Sequence, residues 1–160
     1  TNETVPESDR FGDIWLPPRL SIANDIRSLE YGVLLCGMGE VDYAEKQMVP
    51  FIRYLRDKLG IPDADERSKL RKNGSHKGNM GFALVTTKEF VDGPLKDVAS
   101  FFDATYLIED LASYPHNWHE KTIKKNKVKA TKVHAMSAAP FDTTIMLDFD
   151  SFPCRQDFAK

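Results

Sequence analysis

Two carboxylates stand two residues apart, Asp148 and Asp150, directly after the apolar run Thr143-Thr144-Ile145-Met146-Leu147. In an extended chain, residues i and i+2 point the same way. Both side chains can then reach one cation. Two hard oxygen donors suit Mg²⁺ or Mn²⁺ rather than zinc, and such an ion keeps further positions for water or a phosphate-bearing substrate. The spacing alone says little: with 15 Asp in 160 residues, roughly one or two such triplets arise by chance. A second triplet, Asp63-Ala64-Asp65, follows Pro62 with no apolar run before it and reads as a polar surface turn. At Asp148 and Asp150 the bland alternative is a solvated strand end.

Other chemistry-bearing residues are scattered. Gly37-Met38-Gly39 closes the apolar run Tyr31 to Cys36, and glycine there lets a backbone approach a ligand closely. It lacks the third glycine of a dinucleotide fingerprint, so a plain tight turn is an equal reading. His116 and His119 are three apart after Pro115, with no third ligand beside them, which favours a satisfied or exposed pair. Six lysines between Lys121 and Lys132 could face an anionic substrate or form a solvated helix face. The charged stretch Asp63 to Asn79, with Arg67, Lys69, Arg71, Lys72 and Lys77, reads as a mobile solvated loop rather than a phosphate site.

Composition bounds the rest. The chain is one domain's worth of residues, 41% hydrophobic and 29% charged, as in soluble globular proteins. A net charge of −2 predicts no wholesale attraction to nucleic acid or to an anionic membrane. No apolar run is long enough to span a bilayer, and no targeting segment is visible. The first residue is Thr1 rather than Met, as expected of a processed or excised piece that leaves an upstream anchor open. Cys36 and Cys154 are too few for a disulfide scaffold. Asn2-Glu3-Thr4 and Asn73-Gly74-Ser75 fit the glycosylation pattern and matter only in the secretory pathway.

The elements that must position these groups follow from periodicity. Residues 1–30, interrupted by Pro6, Pro17 and Pro18, read as an irregular lead-in. A short helix is expected around Ser21 to Leu29, with Trp15 and Leu16 pinning the segment to the body. Tyr31 to Cys36 is a core strand. Met48, Phe51, Ile52, Leu55 and Leu59 recur at helical spacing within Tyr43 to Leu59. Pro50 requires that helix to start near Val49 or to kink there, and Gly60 and Pro62 stop it. Met80 to Thr87 is a second strand and Leu95 to Phe102 a helix with Val98, Phe101 and Phe102 inward. Thr105 to Ile108 is a third strand, Thr131 to Ala138 a helix with Val133 and Met136 inward, and Thr143 to Leu147 the fourth strand.

Alternation of this kind predicts an α/β fold, a Rossmann-like three-layer α/β/α arrangement with a mostly parallel sheet. Right-handed crossovers give strand order 3-2-1-4 in its simplest form. Strands one and four then meet at the switch point, where ligands bind at the carboxyl ends. Cys36-Gly37-Met38 and Asp148/Asp150 should face each other there. Cys36 and Cys154 would share that rim, as two free thiols more readily than as a disulfide.

The segment Lys132 to Cys154, "KVHAMSAAPFDTTIMLDFDSFPC", resembles the GT-A glycosyltransferases, the nucleotide-diphospho-sugar transferases. In that family a lysine-bearing helix, an S-P-[FY]-D-like turn and an apolar strand precede a D-x-D. Lys132, the turn Ala138 to Asp142, Ile145 to Leu147 and Asp148/Asp150 take those places. Tyr31 to Asp57 resembles the family's first strand and helix, and Phe82 to Thr86 and Tyr106 to Asp110 its next two strands. The resemblance covers about Tyr31 to Cys154 and divides the chain into a lead-in, 1–30, and a nucleotide-sugar-binding domain, 31–160. It implies Mn²⁺ or Mg²⁺ held by Asp148 and Asp150 against a sugar-nucleotide diphosphate. It further implies Cys36, Gly37 and Asp110 at the nucleoside and Lys132 near the diphosphate. Transfer of the sugar to an acceptor of unknown identity is the implied reaction, and a Golgi-type lumen is compatible with the two sequons.

Only ten residues follow Asp150, whereas the family continues into acceptor-binding segments. The resemblance therefore implies a partial GT-A domain, with the donor half present and turnover in doubt. Two other readings compete. An apolar strand followed by D-x-D also opens the haloacid-dehalogenase phosphatases, although there it lies near the start of the domain. A non-catalytic α/β domain, binding a nucleotide or a protein, would leave both acids incidental.

Overall fold

A computed structural model describes residues 10–11, 14–15, 29–108, 127–137 and 139–150. The expected helix at Ser21 to Leu29, Trp15 and Leu16 as anchors, the His116/His119 pair, Asp110 and Cys154 lie outside those residues or have side chains outside them. Leu29 itself is buried. In the lead-in, β1 (Arg10–Phe11) and β2 (Ile14–Trp15) form a small antiparallel pair.

The main sheet has four strands, β3 (Tyr31–Cys36), β4 (Met80–Thr86), β5 (Ala104–Leu107) and β6 (Thr143–Leu147), in the order β5-β4-β3-β6. Every pairing is parallel. This is the 3-2-1-4 order that right-handed crossovers predict. The two-residue period of β3 and β4 sorts the core into two layers. Val33, Leu35, Phe82 and Leu84 face one side, while Leu34, Cys36, Ala83 and Val85 face the other. Both faces are covered, which explains why the central strands are apolar throughout.

The first face is covered by one helical run after β3. It consists of α1 (Val41–Tyr43), a π turn at Ala44–Met48, α2 (Val49–Arg53) and a second π turn at Tyr54–Lys58. Helical winding begins earlier than Val49, at Val41, but the α-helix that holds Pro50 does start at Val49, where a π turn interrupts the winding. The wide turn explains how. The Val49 amide bonds to the Ala44 carbonyl, so the chain gains a residue and Pro50 opens a fresh α turn where its missing N–H is no loss. Gly60 terminates the run at φ +66°, a left-handed conformation that glycine adopts without strain.

The expected loop from Asp63 to Asn79 is instead ordered. Ala64–Lys72 forms α3, followed by a 3-10 turn at His76–Gly78. The charge pattern misled because Arg67 points inward and is only 1% exposed. Its guanidinium donates to the Pro62 carbonyl, to the Phe101 carbonyl at 2.6 Å and to Asp103 at 2.6 Å. It lies over the rings of Phe82 and Phe101, 4.8 and 5.1 Å from their centroids. Asp103 also accepts from Arg71 at 3.3 Å and from the Phe82 amide at 2.8 Å. One carboxylate thus ties α3 to the start of β5 and to β4.

The helix expected over Leu95 to Phe102 is also corrected. The α-helical piece is α4 (Lys88–Asp92), capped by the Thr87 hydroxyl. After Gly93-Pro94 the chain winds in three-residue turns that end in a 3-10 segment at Ala99–Phe101. Lys96, Val98, Phe101 and Phe102 amides each bond three residues back. The buried residues Leu95, Val98 and Phe101 are spaced by three, which superposes in a 3-10 turn and not in an α-helix.

The second face is covered by α5 (Lys127–Ser137). Val133 and Met136, expected inward, are exposed, and Thr131, His134 and Ala135 are buried instead. The sheet face beneath carries Leu34, Cys36, Ala83 and Val85, with Ala135 packed among them. A small residue at the contact lets the helix lie close to the sheet. Phe141, in the turn before β6, lies over the register partners Gly32 and Gly81. A Cβ on Gly32 would come within 2.1 Å of its ring and one on Gly81 within 2.5 Å.

Breaking a buried ion pair by truncating one partner leaves the other charge uncompensated. Arg67→Ala should therefore lower the unfolding free energy by about 3–5 kcal/mol. Urea denaturation followed by circular dichroism checks this, and a loss below about 1 kcal/mol, the scale of an exposed pair, would contradict it.

Candidate functional site

The carboxyl ends of β3 and β6 are hydrogen-bonded neighbours, with Leu35 opposite Leu147. Asp148 and Asp150 therefore emerge beside the Cys36-Gly37 exit of β3, in the crevice the strand order predicts. The strand itself ends at Leu147, and Phe149 and Asp150 form a turn. Alternation nevertheless continues one step further. Phe149 is fully buried, edge-on to Phe51 at 5.5 Å between centroids, while Asp148 and Asp150 on either side of it are exposed. Phe149 is thus the anchor that turns both acids outward.

Lys132 reaches the site from α5, and its ammonium forms an ion pair with Asp148. Partial burial disfavours the lysine's charge, but the Asp148 hydrogen bond and charge outweigh it and hold its pKa above the usual range. Cys36 lies beneath as a free, buried thiol. Burial pushes it up to about 11, opposed by the Lys132 charge and assisted by Asp148. At neutral pH it is a protonated packing residue, since a nucleophilic thiol needs a depressed pKa.

Tyr43, at the end of α1, belongs to the same cluster and was not signalled by the sequence. It is half-buried, and burial raises its pKa. The Lys132 charge acts against that rise, while Asp148, Asp150 and Cys36 add to it. The only sequence cue to Tyr43 was its place one helical turn after Gly39.

Gly37 has no spare space or spare backbone. A Cβ there would come within 2.4 Å of Met48 and 3.0 Å of Phe149. Its N–H bonds to the Val85 carbonyl at 3.0 Å and its carbonyl accepts from the Thr86 hydroxyl at 2.8 Å. The close approach that glycine allows here is to the protein's own core. Gly39, at φ +128° with open space around its α-carbon, faces no neighbour.

Asp148 and Asp150 are two exposed hard donors on either side of the buried Phe149, beside the end of β3. Lys132 already seats a cationic group against one of them. Two carboxylates leave most positions of a divalent cation unfilled, so such an ion would take its other donors from water or from a ligand. The residues present do not fit an ion held by protein alone: among the described residues no group of three or more His, Cys, Asp or Glu could hold a metal. The Asp63-Ala64-Asp65 triplet serves otherwise. Asp63 precedes α3 and accepts from the Ser100 hydroxyl at 3.1 Å.

A cavity of about 290 Å³ lies at the opposite, amino end of the sheet, between Tyr31, His76, Asn79, Met80 and Ile145. Its lining is mainly apolar and carries no carboxylate or lysine, so it lacks the charge found at the carboxyl end. Among the described residues no helix is long and apolar enough to cross a membrane. No family model, curated protein or solved structure matches the chain.

The charge cluster makes a spectroscopic prediction. Lys132→Gln removes the positive charge that favours ionisation and should raise the Tyr43 pKa, whereas Asp148→Asn should lower it. Ultraviolet titration of each variant against its Tyr43→Phe partner isolates this phenol. Identical Tyr43 titration in both variants would show that the crevice is not assembled as described.

Proposed function

We propose that the carboxyl edge of β3 and β6 binds the diphosphate of a nucleotide-diphospho-sugar together with Mn²⁺ or Mg²⁺, as the donor half of a glycosyltransferase. The observation that supports this most is the meeting of Asp148, Asp150, Lys132 and Tyr43 beside the exit of β3. Asp148 and Asp150 would hold the cation through one oxygen each or more. Lys132 would direct its ammonium at the diphosphate, where negative charge grows as the bond to the sugar breaks. A divalent cation at that place supplies Lewis-acid stabilisation of the leaving nucleoside diphosphate. The exposed stretch around Gly39 and Tyr43 leaves room for the nucleoside, with Cys36 and Gly37 beneath it as floor rather than as donors. The role of Asp110 belongs to the same proposal.

A second reading has its own support. Both backbone groups of Gly37 are engaged and Asp148 is already paired with Lys132. That arrangement also suits a nucleotide-binding domain without turnover.

Calorimetric titration with UDP and GDP, each with and without Mn²⁺, tests the donor site. Binding should require Mn²⁺, and Asp148→Ala should weaken it by about tenfold or more, the scale of a lost charge-assisted contact. Binding unchanged by that substitution would contradict the proposal.

A further inference from the structure

Lys132 and Asp148 come from opposite sides of the last crossover, the lysine from α5 and the acid from the end of β6. Their side chains are 30% and 53% exposed, so the pair is neither a sealed core element nor a freely solvated one. On α5, Thr131, His134 and Ala135 around the lysine are buried, Ala135 among the residues of the second sheet face. The lysine thus reaches the acid from the packed side of the helix, while its side chain stays partly exposed. Asp150 has no such partner in the described ion pairs and is exposed.

We propose that Lys132 is an exchangeable internal counter-cation, which keeps metal off Asp148 until a polyphosphate arrives to take the lysine. This rests on the donor-site reading above and adds an order of binding to it. A divalent cation approaching alone must compete with an ammonium already in contact with one of its two carboxylates, and like charges repel at that distance. A diphosphate approaching with the cation removes the conflict. Its oxygens offer Lys132 an alternative acceptor and supply the donors that two carboxylates leave lacking. Metal and anion then bind with positive coupling, and by linkage each tightens the other by the same factor. The acids alone form an incomplete site, and the lysine makes that incompleteness selective for a phosphate-bearing ligand.

Electron paramagnetic resonance of free Mn²⁺, read against protein-free controls holding the same anion, measures metal uptake by the protein without any turnover. Four proteins are compared, wild type, Lys132→Gln, Lys132→Met and Lys132→Arg, each with MnCl₂ alone and with added UDP or inorganic pyrophosphate. Wild type and Lys132→Arg should take up Mn²⁺ weakly alone and strongly with either anion. Lys132→Gln and Lys132→Met should bind Mn²⁺ alone at least about threefold more tightly, the scale of a partly exposed ion pair. Both should lose most of the enhancement by the anions. Circular dichroism of the variants confirms folding, and the methionine preserves the packing of the stem should glutamine disturb it. Equal Mn²⁺ affinity in wild type and both neutral variants, with anion-dependent uptake intact, would overturn the exchange and leave the donor site standing. Absence of uptake by wild type with either anion would overturn both. Uptake with pyrophosphate as strong as with UDP supports a site that reads the diphosphate, whereas uptake with neither anion enhanced overturns the exchange.

Discussion

Everything at the carboxyl edge depends on β3 being paired on both sides by parallel strands. With β4 on one side and β6 on the other, β3 has no edge, and its whole length is apolar. Parallel pairing carries the chain out of each strand at the same end of the sheet. It is that shared direction, rather than any local motif, which brings residues more than a hundred positions apart in sequence, Cys36 and Asp148, to one crevice. The crossover through α5 then delivers Lys132 to the same place. A strand order with β6 elsewhere would leave the same residues on unrelated surfaces.

The pairing is held by two devices of different character. On the first face, the Asp103 carboxylate binds Arg67, Arg71 and the Phe82 amide, so a polar knot fixes β5, β4 and α3 together. Arg67 is covered by the rings of Phe82 and Phe101, which keeps its charge paired and buried. On the second face the devices are steric. Phe141 fills the groove left by Gly32 and Gly81, and the Thr143 amide bonds to the Glu30 carbonyl at 2.7 Å, setting where β6 begins. Once that start is set, the strand's length sets where Asp148 emerges. Phe149, held against Phe51, does the last piece of aiming.

Strand positions were legible because β-branched and apolar runs bounded by glycine or proline have few other readings. Tyr31 to Cys36 and Thr143 to Leu147 are cases in point, and the 3-2-1-4 order followed from chirality. Helical segments were read less well wherever charge and burial parted company. Arg67 looks like a solvated charge in sequence because its partner, Asp103, is thirty-six residues away. Val133 and Met136 look like core residues because hydrophobicity ranks them above Ala135, yet the tight contact with the sheet selects the smaller side chain. Pro50 marks the start of an α-helical segment, as expected, but a π turn joins that segment to earlier winding that the sequence did not show. At the site, the two acids were nameable from their spacing and Lys132 only through the family resemblance, whereas Tyr43 was not. A single aromatic in a short polar helical stretch carries no signal until the fold places it beside charges from two other segments.

The account stands on the proposal that cation and diphosphate bind at the junction of β3 and β6. Paramagnetic broadening of amide resonances by Mn²⁺ in the presence of UDP maps that location directly. The expected result is loss of signal first at Cys36 to Tyr43, at Lys132 and at Asp148 to Asp150, with Tyr31, His76 and Asn79 at the far end of the sheet unaffected. Broadening centred on that far end, or spread without focus over the surface, would contradict it.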